Sequence, residues 1–493
     1  MHESATPGTT TRGSVAPQGG PTVTSPTSEI NTKRRALALS VLLIPAALTL
    51  FSVTSVNVAM PAVRDALGAD AVAQALILTT YTLAFAVVLL PAGQLGDQYG
   101  HKRVFIIGVT VFTLANVWCG LAPDFAQLVA GRVLSGMGAG ITMTPVAALI
   151  QLLYAGPERA RPFGLLGAVL GAGSAVGPLL GGMLIQAGGD IGWRLLFLIN
   201  VPFGIAAIVL AIVLLPANPP RAAKGFDLVG VLLFTGALVG ITLPFSMGSA
   251  LQPGNLAMLA TGIVLFVLFV WWGRRRDRRG QFTAVAPRVL AGRALRTGMV
   301  VSFLGFGAFT SSFLFLALLW QDALGHGAFE AGLVVLPFAI GSTIGAAYSG
   351  RLVKRFGARV VTVGLTMMVV GLITVGLMVL ANNAALLTLI TTALPLLVIG
   401  LGVGLFVGPL TTASFTETEG RDAGVASAML TSSQRCGTAV GIGLLAALYA
   451  SLPGGSQSLS GQAIIAFVTA AFALAALLVM AFRRPSGMDQ LGA

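Results

Sequence analysis

The sequence predicts an all-α polytopic membrane protein, and three observations support this fold class. Hydrophobic residues make up 56% of the 493 residues and charged residues only 9%, whereas a soluble domain carries roughly 25% charged residues. Apolar stretches of about 20 residues, the length that crosses a bilayer, recur along the chain. The short segments between these stretches are alternately rich in Lys and Arg and almost free of them, as the loops of membrane proteins are.

Fourteen of these apolar stretches are long enough to be membrane spans. Tryptophans lie near several of their ends, where aromatic residues meet the membrane interface. The stretches run approximately over 37–60, 74–95, 103–122, 126–152, 163–187, 195–216, 227–247, 255–272, 297–320, 330–352, 359–380, 384–410, 423–450 and 462–482.

The basic residues predict how these spans are oriented. With a cytoplasmic N-terminus, only Arg64 and Arg194 lie in external loops, while Arg132 and Arg435 fall within spans. Every other Lys and Arg is then cytoplasmic, which is the asymmetry of the positive-inside rule. We therefore expect a multi-pass protein of the cell membrane with both termini in the cytoplasm. The net charge of +13 reflects these loops, so we do not expect nucleic-acid binding.

Two loops of similar sequence indicate an internal repeat. Gly350 to Arg359 matches Gly93 to Lys102 at its Gly, Leu, aromatic, Gly and basic positions, although Asp97 is replaced by Lys354. The two loops follow spans 2 and 10, an offset of eight, whereas a repeated six-span half predicts an offset of six. Two extra spans therefore lie between the halves, unless the match of one short loop is a coincidence. Duplicated halves are common in secondary transporters.

The repeat divides the chain into five segments. Residues 1–35, rich in Thr, Ser, Pro and Gly, are predicted to be a disordered cytoplasmic tail without the apolar core of a cleavable signal peptide. Six-helix bundles at 36–217 and 297–484 flank 218–296, which holds two inserted helices and a basic loop, and 485–493 is a second cytoplasmic tail. The arginines of the basic loop set topology and attract anionic lipid headgroups; a docking site for a partner is the alternative.

The loop between spans 2 and 3 places one acid and two bases beside the bilayer, where charge is costly and usually functional. It reads Gly93-Gln-Leu-Gly-Asp97-Gln-Tyr-Gly100-His-Lys102-Arg103. This run resembles the loop G-x-L-x-D-x-x-G-[RK]-[RK] of the major facilitator superfamily, with His101 at its first basic position. The alternative is that Asp97 is an ordinary solvated charge.

The resemblance implies a cytoplasmic gate at this loop. Asp97 would accept hydrogen bonds from the N-terminus of a helix in the other half, and Lys102 and Arg103 would orient it. The predicted gate also includes five positions at which the loop and its repeat share a residue type, namely Gly93, Gly100, Gly350, Gly357 and Arg359.

Span 5 carries glycines at every fourth position. Gly173, Gly177 and Gly181 share one helix face, which allows a neighbouring helix to approach closely. With Pro178 and Gly182 they match the G-x-x-x-G-P-x-x-G-G motif of antiporters in the same superfamily, and this resemblance implies export rather than import. A plain glycine-packed helix pair is the alternative.

Span 4 contains a single arginine, Arg132, within the glycine-rich run Gly131 to Gly140. The glycine spacing imitates a dinucleotide-binding loop, but no strand precedes it. An arginine inside a span costs about 2.5–3.5 kcal/mol on insertion scales, so Arg132 should face the protein interior. The run resembles the span-4 motif of the superfamily, whose arginine is linked to proton coupling. The alternative is an arginine that snorkels or makes a structural bond.

Three further stretches resemble the fourteen-span drug:proton antiporters of the superfamily. They are the V-N-V-A-M-P ending of span 1 at Pro61, the W-R-x-x-F-x-I-N-x-P run from Trp193 to Pro202, and the segment from Trp320 to Leu333. The resemblance implies the major facilitator fold, with two six-helix bundles and two extra linker helices.

One departure from that family concerns the proton site. Many of these exporters carry an aspartate in span 1, at the position that is Ser52 here, and no acid lies at the centre of a predicted span. Either an acid at a span end carries the proton, or the coupling is unusual. A cavity without acids has no partner for a dication, so we expect a neutral, zwitterionic or weakly anionic substrate. Candidate cavity residues are Asn57, Tyr81, Arg132 and Gln321.

These observations predict a proton-coupled exporter of amphipathic drugs or antibiotics that works by alternating access. A metabolite facilitator or importer on the same fold is the alternative, and a membrane enzyme would need a cluster of His, Cys or acidic residues that the sequence does not contain. The two cysteines lie in apolar runs and the three histidines are scattered, so we expect no metal, cofactor or disulfide. The expected partners are the substrate, protons and membrane lipid, and we expect a monomer.

Overall fold

The computed structural model describes most of the helical part of the chain. The described residues are 2, 32–68, 70–154, 158, 160–216, 225, 227–246, 252–283, 285, 290–357, 359–381, 387–417, 423–452 and 458–482. Most of the first predicted tail and all of the second, 485–493, lie outside these residues.

The N-terminal half consists of seven helical segments. Asp70 and Asp124 begin two of them as N-caps, each with a carboxylate oxygen that accepts from the backbone N–H three residues later, which satisfies a helix-end donor. The segments are α1 (Thr32–Leu67), α2 (Ala71–Tyr99), α3 (His101–Leu121), α4 (Phe125–Leu153), α5 (Ala160–Gly188), α6 (Gly192–Leu198) and α7 (Asn200–Leu214).

Two inserted helices, α8 (Leu228–Ser246) and α9 (Pro253–Arg278), follow and pack against each other. Gly240 and Gly262 meet backbone to backbone at their contact, where a Cβ on either glycine would clash with the other helix. Close packing through small residues is typical of membrane helices. Of the two, α8 also contacts α2 in the N-terminal half.

The C-terminal half repeats the pattern of long helices. A π-helical turn, Leu319–Ala323, continues the first of them. The helices are α10 (Arg293–Leu318), α11 (Ala328–Leu333), α12 (Leu336–Phe356), α13 (Arg359–Leu380), α14 (Leu389–Ser414), α15 (Ala423–Ser451) and α16 (Leu459–Phe482). Within this half α12 and α13 pack on α14, while α10 packs on α15 and α16.

The described residues contain twelve helical stretches that are long and apolar enough to cross a membrane, not the fourteen predicted. The all-helical membrane fold is confirmed, whereas the count of fourteen spans stays a prediction, and two physical features account for the difference. Val176–Leu214 forms one continuous apolar stretch because only the short turn Gly189–Ile191 interrupts it. The polar run from Ser432 to Arg435 lowers the hydropathy of α15, which is not among the twelve.

The largest hydrophobic cluster that the two halves share lies at one end of the bundle. We name the ends after the first and last residues of α1, Thr32 and Leu67. At the Leu67 end, Met60 of α1 and Trp320 of the π-helical turn belong to one buried cluster. Toward the Thr32 end the halves have separate clusters, one around Leu149 and one around Phe406. A fourth cluster also joins the halves, from α2 to α15 through α8 and α9.

Candidate functional site

The centre of the N-terminal half holds a buried arginine. The Arg132 side chain on α4 is 1% exposed. Its Nε donates to the carbonyl oxygen of Ile77 at 3.0 Å, and its Nη1 donates to that of Ser52 at 3.3 Å. Gly136, one turn further on, lies against the backbone of α2, and this close approach brings the arginine within reach of it. The predicted interior position of Arg132 agrees with this geometry.

Arg132 also lies on an aromatic ring. Its Cζ is 4.2 Å from the centroid of the Tyr81 ring, an arrangement that stabilises a desolvated cation. The Tyr81 hydroxyl donates to the carbonyl oxygen of Thr49 at 3.2 Å, so the ring is fixed between α1 and α4. Two of the predicted cavity residues, Tyr81 and Arg132, are therefore in contact.

A second arginine reaches the same helix from the other half. Arg435 of α15 has its Cζ 4.2 Å from the centroid of the Phe85 ring, and Phe85 lies one turn after Tyr81 on α2. Both guanidinium groups are within electrostatic range of Tyr81. We call Tyr81, Phe85, Arg132 and Arg435 the paired-arginine site. Arg435 was predicted to lie inside a span but was not among the predicted site residues. Its charge within an apolar run was the signal that could have identified it.

The paired-arginine site carries positive charge without an acidic partner. Among the residues that the structure describes, neither Arg132 nor Arg435 has a carboxylate within 4.0 Å. Ser52, whose carbonyl oxygen accepts from Arg132, is buried, and its hydroxyl oxygen lies 3.5 Å from Asn200 Nδ2. Asn200 also donates to Asn116 Oδ1 at 3.1 Å. A neutral polar network thus occupies the place of a counterion, and the site favours an anionic or neutral ligand over a cation.

The other two predicted cavity residues lie nearer the Leu67 end. Gln321 Nε2 donates to the carbonyl oxygen of Val58 at 3.1 Å, which joins the C-terminal half to α1. Asn57 is buried, and its Nδ2 donates to the carbonyl oxygen of Val53 within its own helix. In the described structure Arg132 bonds to Ile77 and Ser52 and stacks on Tyr81, and not on either of these side chains. The predicted cavity residues therefore divide into two groups.

An ion pair closes the Leu67 end between the halves. Arg64 of α1 donates to both carboxylate oxygens of Asp322, at 3.0 and 3.3 Å. Tyr449 of α15 donates to the same carboxylate at 2.8 Å. The Asp322 side chain is only 7% exposed, so the pair is shielded from solvent on that side. We call Arg64, Asp322 and Tyr449 the Leu67-end clasp.

The glycine motif of α5 also lies at this closed end. Gly177 and Gly181 face Thr54 and Ser55 of α1, as the shared face predicts, and Gly173 faces α1 as well. Gly182 faces the other half: a Cβ there would clash with the carbonyl oxygen of Ala328. On the opposite side of this contact, Gly332 lies against the carbonyl oxygen of Pro178. The motif is therefore where α5 meets both α1 and α11.

The two repeat loops lie at the Thr32 end and share one backbone feature. Gly100 has a φ of +96° between α2 and α3, and Gly357 has a φ of +55° after α12, a region that L side chains rarely adopt. Lys102 Nζ donates to the carbonyl oxygens of Ile212 and Leu215, both at 2.8 Å, at the C-terminal end of α7.

The remaining predicted gate residues are more open. Gly93 lies near Thr144 of α4, a Cβ on Gly350 would meet no atom within 4 Å, and Arg103 and Arg359 are exposed. The Asp97 side chain lies outside the described part of the structure, so its predicted contact is not placed.

Comparisons with known proteins agree on one family. Residues 42–442 match the model of the Major Facilitator Superfamily. The "Probable actinorhodin transporter" of Streptomyces coelicolor is 34% identical over 434 residues, which cover 87% of this chain and 74% of that protein. "Puromycin resistance protein pur8" of Streptomyces alboniger is 33% identical, with 84% and 81% covered. "Multidrug resistance protein Stp" of Mycobacterium tuberculosis is 31% identical, with 80% and 72% covered.

Solved structures have the same fold at low sequence identity. The POT family transporter PepTSo superposes with a TM-score of 0.69 at 15% identity, over 92% of this chain and 98% of that one. An auto-inhibited POT family peptide transporter gives a TM-score of 0.63 at 17% identity, over 90% and 96%. At these identities the likeness concerns the fold alone.

Proposed function

Because the chain belongs to the Major Facilitator Superfamily and is thus a membrane transporter rather than an enzyme, we propose that it exports amphipathic drug- or antibiotic-like molecules in exchange for protons. Relatives at 31–34% identity bear names that refer to transport of an antibiotic or to drug resistance. A metabolite facilitator or importer on the same fold is the second candidate.

The paired-arginine site is the observation that carries this proposal. It takes one arginine from each half, and both lie against neighbouring rings of α2. In a transporter built from two halves, the substrate site lies at their interface. A substrate held between the arginines would contact both halves, and their relative rotation would move it from one membrane face to the other. The charge of the site supports a neutral, zwitterionic or weakly anionic amphiphile as the substrate.

Fourteen spans with both termini in the cytoplasm remain our proposal for the topology. The apolar stretch Val176–Leu214 is longer than one span needs and contains the turn Gly189–Ile191, so we divide it there. The 29-residue α15 lies between α2, α8 and α10, and we count it as a span whose polar side is covered by protein. The Thr32 end, with Lys102 and the arginines after α9, is then cytoplasmic.

This orientation makes the present conformation one that is closed to the outside. The Leu67-end clasp and the contact of Gly182 with α11 then form the external closure. The predicted gate at Asp97, with Lys102 and Arg103, would close the cytoplasmic side in the opposite state. Its repeat at Gly350, Gly357 and Arg359 would serve the other half.

Asp322 is the acid that we propose for proton exchange, with Arg132 coupling it to the substrate. Of the acids at span ends, Asp227 accepts from Trp272 Nε1 at 3.0 Å and caps α8, and Glu330 pairs with His326 in its own half. Only Asp322 among the described acids pairs with an arginine of the opposite half. Protonation of its carboxylate would weaken that pair and release the external closure.

Transport in inverted membrane vesicles tests the proposal. We expect a proton gradient to drive accumulation of a neutral or anionic amphiphile, and Arg132→Ala and Asp97→Asn to reduce the initial rate at least tenfold. Transport that is equally fast without the gradient would favour the facilitator. Accumulation of permanently cationic dyes alone would contradict the proposed substrate class.

A further inference from the structure

A second basic site lies at the Thr32 end and shares no residue with the paired-arginine site. The end of α9 and the start of α10 enclose a cavity of about 260 Å³. Its apolar walls include Phe269, Val270 and Leu290, and its charged rim is formed by Arg274 and Arg296. We call this the α9–α10 cavity.

The frame of the cavity is fixed by bonds that leave its two arginines free. The buried Asp227 carboxylate accepts from Trp272 Nε1 at 3.0 Å, which ties α9 to α8. Arg276 Nε donates to the carbonyl oxygen of Phe282 at 2.9 Å and so turns the chain back after α9. Val285 is 3% exposed and packs with α2 and α15.

The cavity arginines, by contrast, have no acceptor within the described structure. Arg275 stacks on Trp271 and Arg276 on Trp272, whereas no hydrogen bond or ion pair is formed by Arg274 or Arg296 in the described residues. Both side chains are exposed. A guanidinium group offers five N–H donors that match the oxygens of a phosphate group, so two of them at one cavity suit a phosphodiester anion.

An apolar surface continues directly from this cavity along α9. Val264, Val267 and Trp271 are 51–60% exposed, and with Val270 and Arg274 they lie at three- and four-residue spacings along one side of the helix. A soluble phosphate would leave this surface unused. A membrane lipid would place its headgroup at the arginines and its acyl chains along the valines.

We propose that the α9–α10 cavity binds the phosphodiester headgroup of an acidic phospholipid from the cytoplasmic leaflet. Basic pockets between spans on this side of the membrane suit such headgroups. The site gives the inserted helices a role that is independent of substrate and proton binding. The choice of leaflet rests on the proposed topology, and not on the proposed exchange of substrate for protons.

The test is lipid binding by the full-length protein in neutral detergent micelles, which lack a charged bilayer surface. Native mass spectrometry would measure the affinity for phosphatidylglycerol in the wild type, in Arg274→Gln/Arg296→Gln, and in the control Arg278→Gln/Arg279→Gln. The control removes the same number of charges at the end of α9, from residues that do not line the cavity. We expect the cavity variant to lose at least tenfold in affinity and the control less than twofold.

Three outcomes would overturn the assignment. Equal losses in the two variants would mean general charge attraction, and unchanged affinity in the cavity variant would mean that the lipid binds elsewhere. If glycerol phosphate without acyl chains, or inorganic phosphate, competes as strongly as the lipid, the cavity is a site for soluble anions. Thermal unfolding of both variants without lipid should match that of the wild type, because neither arginine pair is buried.

Discussion

Arg435 of the C-terminal half stacks on Phe85 of the N-terminal half, with 4.2 Å between Cζ and the ring centroid. This contact crosses the interface between the halves, while the neighbouring contact of Arg132 with Tyr81 stays within one half. Rotation of the halves must therefore change the distance between the two guanidinium groups. A ligand that bridges them would be held most firmly in one conformation.

Arg435→Gln is expected to lower export of an anionic amphiphile at least tenfold and export of a matched neutral one less than threefold. Loss of one cation removes a charge-assisted hydrogen bond, which contributes roughly 1.5–3 kcal/mol. The measurement is the initial rate in inverted vesicles with both substrates. Arg278→Gln, which removes an exposed arginine outside the paired-arginine site, is the control. Equal losses for the two substrates would show that Arg435 does not sense substrate charge.

Ser52→Asp is expected to shift the substrate preference from anions toward cations. The Arg132 guanidinium already donates to the Ser52 carbonyl oxygen, so the new carboxylate would lie close to it. The carboxylate would neutralise part of the positive charge of the site. We expect the ratio of cation to anion export to rise at least tenfold, or about 1.4 kcal/mol. Ser52→Asn adds similar volume without charge, so a similar ratio change in that variant would contradict an electrostatic cause.

Asp322→Asn is expected to open the Leu67 end. The amide cannot replace the two charged bonds from Arg64, and weakening of a largely shielded pair should shift the conformational balance by about 1–2 kcal/mol. Labelling of Gln321→Cys by a membrane-impermeant thiol reagent from outside should then become at least fivefold faster. Asp65→Asn is the matched control, because Asp65 contacts the same arginine from its own half and is exposed.

Gly182→Ala is expected to prevent full closure of the Leu67 end and to reduce transport at least tenfold. The new Cβ would clash with the carbonyl oxygen of Ala328, so α5 and α11 would have to separate. Gly254→Ala adds the same methyl group where nothing lies within 4 Å, and it should transport normally. Wild-type rates for Gly182→Ala would mean that this contact plays no part in the cycle.

The sequence predicted local features well because they depend on local physics. The apolar runs became helices, the loops at Gly100 and Gly357 turned at glycines, and Arg132 lies inside the protein as the cost of a membrane charge requires. Twelve stretches rather than fourteen stand out as spans because local signals conflict at the short turn after Gly188 and in the polar stretch of α15.

Contacts between distant segments could not be predicted in this way. Arg64 and Asp322 are separated by 258 positions, and nothing in either neighbourhood identifies the other as its partner. The stacking of Arg435 on Phe85 likewise depends on how two halves dock. A single sequence specifies which residues must be buried but leaves their partners open.

The position of α8 has a mechanical consequence. This helix touches α2 on one half and α15 on the other, so any rotation of the halves must alter both contacts together. The inserted pair also presents much of its surface to lipid, since only 17% of the most apolar segment of α9 is buried inside the protein. The transport cycle is therefore coupled to the shape of the surrounding bilayer, and its turnover should depend on lateral pressure and on acyl-chain length even when the gradients are held constant.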